Sequence, residues 1–123
     1  MRAVWVFVAG GAGSLARWGV AVGCAAAFGP AFPFGTLAVN LVGSFLLSAL
    51  VELVIGERVT PELRLILGTG FLGGFTTYSA FSQEAFALLR DGALFAGAGY
   101  VALTVVGCLA MCLLGQLAAR ALA

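Results

Sequence analysis

The sequence contains no histidine and no lysine, and its charged residues are six arginines and five acidic residues in a chain of 123. Without histidine, neither a Ser–His–Asp nor a Cys–His catalytic arrangement can form. The three cysteines, Cys24, Cys108 and Cys112, lie in apolar stretches and lack the CxxC spacing of a zinc site. These absences predict a protein that is not an enzyme, and we interpret the cysteines as small packing residues.

Charged residues are rare in the chain and apolar residues are common. Hydrophobic residues make up 63% of the chain and charged residues 9%, and the mean hydropathy is +1.14. A soluble domain carries about a quarter charged residues, whereas a helix that crosses a bilayer needs about 20 apolar ones. The sequence therefore predicts an all-α membrane protein, with residues 1–123 forming one domain of four transmembrane helices. The predicted spans are residues 3–28, 34–56, 63–89 and 93–117.

The arginines are unevenly distributed between the two ends of the predicted spans. Short loops make neighbouring helices antiparallel, so both termini are expected on one side of the membrane. Arg2, Arg58, Arg64 and Arg120 fall on that side, and Arg90 falls on the other. Because cytoplasmic loops are rich in arginine and lysine, this bias favours a cytoplasmic amino terminus.

Polar residues recur at every fourth position of the second and fourth spans. A step of four residues turns about 400° around a helix, so each set forms one slowly winding stripe. Two facing stripes would make a narrow, partly hydrated path. The alternative is that the hydroxyl groups bond their own helix carbonyls, and we favour it for Ser48 but not for Asn40. The stripes are Thr36, Asn40, Ser44 and Ser48, and Tyr100, Thr104, Cys108, Cys112 and Gln116.

The third span has a composition that is unfavourable for a continuous helix. Gly73 and Gly74 are followed by Thr76 and Thr77, and both glycine and β-branched residues have low helix propensity. We expect the helix to unwind between Gly73 and Ser79. Irregular backbone at membrane depth must be buried or line a cavity, where its carbonyl oxygens can replace the hydration shell of a cation.

Four further side chains in the spans invite a functional interpretation. Tyr78 and Phe81 lie three residues apart, and their ring edges carry partial positive charge that suits a small anion; ordinary packing is the alternative. Arg17 either extends to an interface or attracts anions into a vestibule. Glu84 lies near the end of the third span and is expected to be hydrated near a pore mouth.

Three segments of the chain resemble the Fluc (CrcB) family of bacterial and archaeal fluoride channels. They are Gly10–Trp18, Gly35–Phe45 and Gly70–Phe81, and their order and spacing extend the resemblance along nearly the full length. The resemblance implies a passive fluoride exporter of the cell inner membrane, built as an antiparallel, dual-topology dimer with two fluoride pores.

The family also implies roles for individual residues. A central structural sodium ion is held by backbone carbonyls, which match Gly73 and Thr76 of each subunit. Tyr78 and Phe81 match the aromatic pair that faces fluoride, and Arg17 matches an arginine of the vestibule. The remaining pore positions correspond to Thr36, Asn40, Ser44, Glu84, Tyr100, Thr104 and Cys108.

The chain departs from the family pattern at two positions, and other functions compete with the family reading. Tyr78 replaces the usual phenylalanine, and Cys108 replaces a common serine.

The arginine bias would also suit a heterodimer with a paralogue, although we favour a homodimer. A proton-coupled small multidrug exporter would need an acidic residue in the first span, which has Arg17 instead. A non-conducting structural membrane subunit would move no ions.

Overall fold

The computed structural model describes residues 1–122 and shows an all-helical chain, with no strand among those residues. Three long helices are joined by a chain of shorter helical pieces. The long helices are α1 (Arg2–Phe28), α2 (Phe34–Ile55) and α6 (Leu94–Ala121). Between α2 and α6 lie α3 (Pro61–Arg64), a π-helix (Leu65–Leu72), α4 (Gly73–Phe75) and α5 (Tyr78–Arg90).

The three long helices are long and apolar enough to cross a membrane. They contain 27, 22 and 28 residues, which at about 1.5 Å per residue gives lengths of roughly 33 to 42 Å. The first, second and fourth predicted spans are therefore present as helices of sufficient length and apolarity, and their crossing of a membrane stays a prediction. The predicted third span is divided into pieces, and its passage through the membrane stays a prediction.

The ends of the broken segment have identifiable local causes. Thr60 caps α3, because its hydroxyl accepts a hydrogen bond from the Leu63 N–H at 3.2 Å, and Pro61 follows at the first helical position. At the other end, the turn after α5 contains Gly92 with a φ of +84°, a conformation that favours glycine. Both turns reverse the chain, so the broken segment runs antiparallel to α2 and to α6.

Glycines bring the helix backbones into direct contact. A Cβ atom on Gly115 would lie 2.2 Å from the Phe45 carbonyl oxygen, so α6 and α2 touch there. A Cβ on Gly74 would lie 2.2 Å from the carbonyl oxygen of Gly10, which brings α4 against α1. Close approach of this kind is typical of helices packed in lipid. By contrast, Cβ atoms on Gly19 and Gly23 would meet nothing of residues 1–122 within 4 Å.

Polar contacts place the two ends of the chain on the same side, as predicted. Arg2 Nε lies 3.2 Å from Glu62 Oε1 at the start of α3. Arg58 Nη1 donates to the carbonyl oxygen of Leu122 at 2.5 Å, so the loop after α2 contacts the end of α6. Arg2 and Arg58 therefore lie at the end of the helices that holds both termini of the described chain, as the sequence pattern predicts.

The helices bury few large side chains against one another. One buried cluster contains Val39, Leu72 and Phe75, and a second contains Phe81, Ala85 and Tyr100. Large apolar side chains along α1 and α6 are instead exposed, among them Phe7, Leu15 and Leu109. An apolar exterior of this extent suits contact with lipid or with another subunit rather than with water.

Candidate ion pathway

The break in the third segment is narrower than the sequence predicts. Only Thr76 (φ −86°, ψ 160°) and Thr77 (φ −154°, ψ 124°) are extended, whereas the expected unwinding ran from Gly73 to Ser79. The preceding turn stays helical because the N–H and the hydroxyl of Thr76 both donate to the Leu72 carbonyl, each at 2.9 Å. The next helix starts at once because the Thr77 hydroxyl caps the Ala80 N–H at 3.2 Å.

Asn40 on α2 holds the extended backbone through two hydrogen bonds. Its Nδ2 donates to the Thr77 carbonyl at 3.0 Å, and its Oδ1 accepts from the Thr77 N–H at 2.9 Å. The side chain is buried, with 8% of its surface exposed. The sequence singled out Asn40 as a residue that local bonds could not satisfy, and the structure shows that the broken backbone satisfies it.

The break removes the helical donors of several backbone carbonyls, among them those of Gly73 and Thr76. In a continuous α-helix the Gly73 carbonyl would accept from Thr77 N–H, which here donates to Asn40. The Thr76 carbonyl would accept from Ala80 N–H, which here donates to the hydroxyl of Thr77. The two carbonyls predicted to hold a cation are thus among those whose usual donors have been redirected.

A cavity of about 310 Å³ adjoins the break and joins it to both polar stripes. Asn40 and Ser44 line it from α2, and Thr104 and Cys108 line it from α6. None of its lining residues within 1–122 carries a formal charge. Thr104 is buried, and its Oγ1 has no hydrogen-bond partner in the described part of the chain. The rest of the lining is Gly43, Leu47, Thr76, Thr77, Tyr78, Phe81 and Val105.

The predicted aromatic pair is assembled at the wall of this cavity. The rings of Tyr78 and Phe81 meet edge to face, with centroids 5.7 Å apart. Phe81 is 6% exposed and in turn meets the Tyr100 ring edge to face at 5.2 Å, whereas Tyr78 is 80% exposed. Ring edges are the positive part of an aromatic quadrupole, so Tyr78 can present its edge to the cavity or beyond the subunit.

Glu84 links the beginnings of the two stripes. Its Oε1 accepts from the Thr36 hydroxyl at 2.8 Å, and its Oε2 accepts from the Tyr100 hydroxyl at 2.7 Å. Thr36 and Glu84 also line a second cavity, of about 420 Å³, near the turn at Asp91. Glu84 thus lines a cavity, and its place near a pore mouth stays a prediction. Its two hydroxyl partners could not be predicted from the sequence.

The far halves of the stripes line neither cavity. The Cys112 thiol donates to the Ser44 carbonyl at 3.6 Å. Beyond it, Gln116 Nε2 donates to Glu52 Oε2 at 3.0 Å, and Arg120 Nε lies 2.7 Å from Glu52 Oε1. The backbone contact between α2 and α6 at Gly115 lies in this region. The predicted path between the facing stripes therefore closes below Cys108 within one subunit.

Arg17 lies on the opposite face of the broken segment. Its Nε donates to the Gly74 carbonyl at 3.0 Å, and the side chain is half-buried. It is not among the residues that line either of the two cavities described above. Of the twelve positions singled out in the sequence, Arg17 and Gly73 are the two that line neither of these cavities and take no part in the network around Glu84.

These features define a class: a small multi-pass helical membrane protein with an uncharged polar cavity beside an interrupted helix. Comparison with known proteins places it more closely. Residues 4–116 match the family model described as CrcB-like protein, Camphor Resistance (CrcB). The chain belongs to this CrcB-like family.

Three relatives have nearly the same length as this chain. A protein of Sorangium cellulosum is 47% identical over 98% of this chain and 96% of its own length. One of Gloeobacter violaceus is 48% identical over 98% of both chains. One of Anaeromyxobacter dehalogenans is 46% identical over 99% of this chain and 98% of its own. All three carry the name fluoride-specific ion channel FluC, so the relatives are ion channels and not enzymes.

Proposed function

We propose that the protein is a passive channel through which fluoride leaves the cell down its gradient. The observation that carries this proposal is the uncharged cavity beside the break, in which hydroxyl, amide and thiol groups meet the Tyr78–Phe81 pair. Fluoride is small and accepts hydrogen bonds strongly, so neutral donors can replace its water without a buried cation. The names of the three relatives support the same function.

The arrangement suggests how an anion would pass between the two cavities. The hydroxyl groups of Thr36 and Tyr100 both donate to Glu84, which lies between them. A fluoride ion that takes over one of these hydroxyl donors exchanges one acceptor for another, so no donor is left unsatisfied. Larger anions accept weaker hydrogen bonds, and selection for fluoride follows from this difference.

We propose that the broken segment, residues 61–90, forms the third of four spans and that two subunits assemble antiparallel in the cell inner membrane. Both ends of this segment are joined by short turns to helices that can cross a membrane, which supports a crossing between them. The 80% exposed ring of Tyr78 supports a second subunit or lipid against it. We favour a homodimer, with a paralogue heterodimer as the alternative that the arginine bias would suit.

We further propose that a structural sodium ion binds the Gly73 and Thr76 carbonyls of both subunits. Carbonyl oxygen is a suitable ligand for a hard cation, and these two carbonyls have lost their helical donors. Within residues 1–122 there is no cluster of three or more histidine, cysteine or acidic side chains that offers another site. When bound, the ion would neutralise the exposed ends of the interrupted helix.

Fluoride efflux from proteoliposomes, measured with a fluoride-selective electrode, tests the proposed function. We expect the wild-type protein to release trapped fluoride and to retain chloride. Phe81→Ile should reduce the release at least about tenfold while still assembling, because it removes a ring edge from the cavity wall. Release by Phe81→Ile at the wild-type rate would contradict the contribution of the ring edges.

The same assay separates the two rival functions. A proton-coupled exporter would release fluoride no faster than empty liposomes and would acidify or alkalinise the lumen when a cationic drug is added. A structural subunit would give neither response. The lack of an acidic residue in the sequence of α1 argues against the exporter.

A further inference from the structure

Arg17 is the charged side chain within α1 for which the proposed pathway gives no role. Its Nε donates to the Gly74 carbonyl at 3.0 Å, and Gly74 lies two residues before the extended Thr76. We propose that Arg17 is a positioning residue, which fixes the break from the α1 side through its Nε–H rather than by attracting anions. This inference rests on the proposed function, because the break sets the direction of the ring pair that follows it.

The break itself creates the need for this donor. In an unbroken α-helix the Gly74 carbonyl would accept a hydrogen bond from the N–H of Tyr78. Tyr78 lies beyond the two extended residues, at the first position of α5, and does not donate to Gly74 in the described chain. Arg17 therefore supplies the donor that the break removes, inside a segment that lipid or protein surrounds, where a carbonyl without a donor is costly.

The backbone contact between α1 and the broken segment fixes the reach of Arg17. A Cβ atom on Gly13, one turn earlier, would lie 2.0 Å from the carbonyl oxygen of Phe71 and 2.9 Å from the nitrogen of Phe75. A Cβ on Gly74 would lie 2.2 Å from the carbonyl oxygen of Gly10. The two backbones are thus in contact one turn before Arg17, which brings its Nε within hydrogen-bond distance of the Gly74 carbonyl.

Arg17 and Asn40 hold the break from two different helices. Arg17 on α1 donates to the Gly74 carbonyl, which precedes the extended residues. Asn40 on α2 donates to the Thr77 carbonyl and accepts from the Thr77 N–H within them. Among the carbonyls whose usual donors are displaced, that of Gly74 accepts from Arg17. The Arg17 side chain therefore leaves the Gly73 and Thr76 carbonyls available to a cation.

Two substitutions separate the Nε–H of Arg17 from its charge. The Nε2 of glutamine is as many bonds from Cα as the Nε of arginine, so Arg17→Gln keeps an N–H at this point without the charge. Arg17→Lys keeps the charge and places a methylene there instead. Each variant is reconstituted in lipid nanodiscs, and hydrogen exchange is measured over residues 74–82 in fluoride-free buffer. Fluoride efflux from proteoliposomes is measured at low and at saturating fluoride.

We expect Arg17→Gln to exchange within about twofold of the wild type, and Arg17→Lys to exchange roughly tenfold faster or more over these residues. Maximal efflux should follow the same order, whereas α6 should exchange at the wild-type rate in both variants. The proposal is overturned if Arg17→Lys matches the wild type while Arg17→Gln loses efflux only at low fluoride, as for a charge that attracts anions. Equal exchange in all three proteins, or faster exchange of α6 in Arg17→Lys, also overturns it.

The two proposals fail in different ways. A wild-type protein that moves no fluoride would end the proposed function and leave the exchange comparison intact, because that comparison needs no fluoride. Wild-type efflux with unchanged exchange in both variants would retain the channel and remove the positioning role of Arg17.

Discussion

Replacing Thr104 with valine should make the protein more stable and the channel slower. The side chain is 6% exposed, and its Oγ1 has no hydrogen-bond partner in the part of the chain that the structure describes. A buried hydroxyl without a partner costs about 1–3 kcal/mol, and valine has nearly the same shape without the hydroxyl. We expect Thr104→Val to raise the free energy of unfolding by about 1–2 kcal/mol.

The effect on conduction should have the opposite sign. Under the proposed function, the unused hydroxyl of Thr104 is free to donate to a fluoride ion in the cavity that it lines with Asn40 and Cys108. Removing it deprives the ion of one donor, and a hydrogen bond to a charged group contributes about 1.5–3 kcal/mol. We therefore expect fluoride efflux to fall by roughly tenfold or more.

Thr36→Val provides the matched control, because it makes the same chemical change at a position that is similarly buried. The Thr36 hydroxyl donates to Glu84 Oε1 at 2.8 Å, so its loss should lower the free energy of unfolding by about 1.5–3 kcal/mol. Unfolding is followed by denaturant titration in micelles, and efflux with the fluoride electrode. A less stable Thr104→Val would show that its hydroxyl has a partner in the assembled protein. A stabilised Thr104→Val with wild-type efflux would remove Thr104 from the pathway.

Three further substitutions test the packing and the cavity walls. Gly115→Ala should lower the free energy of unfolding in micelles by about 1–3 kcal/mol, because its Cβ would lie 2.2 Å from a backbone oxygen of α2. Gly19→Ala, within α1 and with open space around its Cβ, should raise it by up to about 1 kcal/mol, because alanine favours the helix. Tyr78→Phe should keep efflux within about twofold of wild type, since the exposed ring keeps its edge; a tenfold loss would assign the hydroxyl a role. Glu84→Gln should lower stability by about 1–2 kcal/mol and slow efflux, because the amide has one acceptor oxygen for two hydroxyl donors; unchanged efflux would separate Glu84 from the pathway.

Much of the architecture could be predicted from the pattern of residue types. Long apolar runs define three helices that can cross a membrane, and the glycine and threonine pairs of the third segment predict its break. The extent of the break could not be predicted, because Thr76 and Thr77 form specific bonds to Leu72 and Ala80 that restore the helices on either side. Helix propensity predicts where the helix is interrupted. It does not predict the hydrogen bonds that determine how many residues are extended.

The polar stripes show the corresponding limit for the site. A spacing of four residues correctly groups Ser44 with Asn40 and Cys108 with Thr104, since this follows from helix geometry alone. Whether a stripe faces space or backbone depends on the neighbouring helix, and the contact at Gly115 closes the far half. The partner of Arg17 lies 57 positions away in the sequence, and the two partners of Glu84 lie 48 and 16 positions away, so no local pattern could reveal them.

The exposed ring of Tyr78 at the cavity edge predicts how fluoride efflux depends on the protein-to-lipid ratio of the vesicles. In a single subunit, lipid acyl chains would have direct access to the cavity beside the break. Apolar chains next to its hydroxyl groups would disfavour a hydrated fluoride ion. Vesicles that receive one copy should then be silent. At sparse loading, the number of leaky vesicles should grow with the square of the protein-to-lipid ratio rather than in proportion to it.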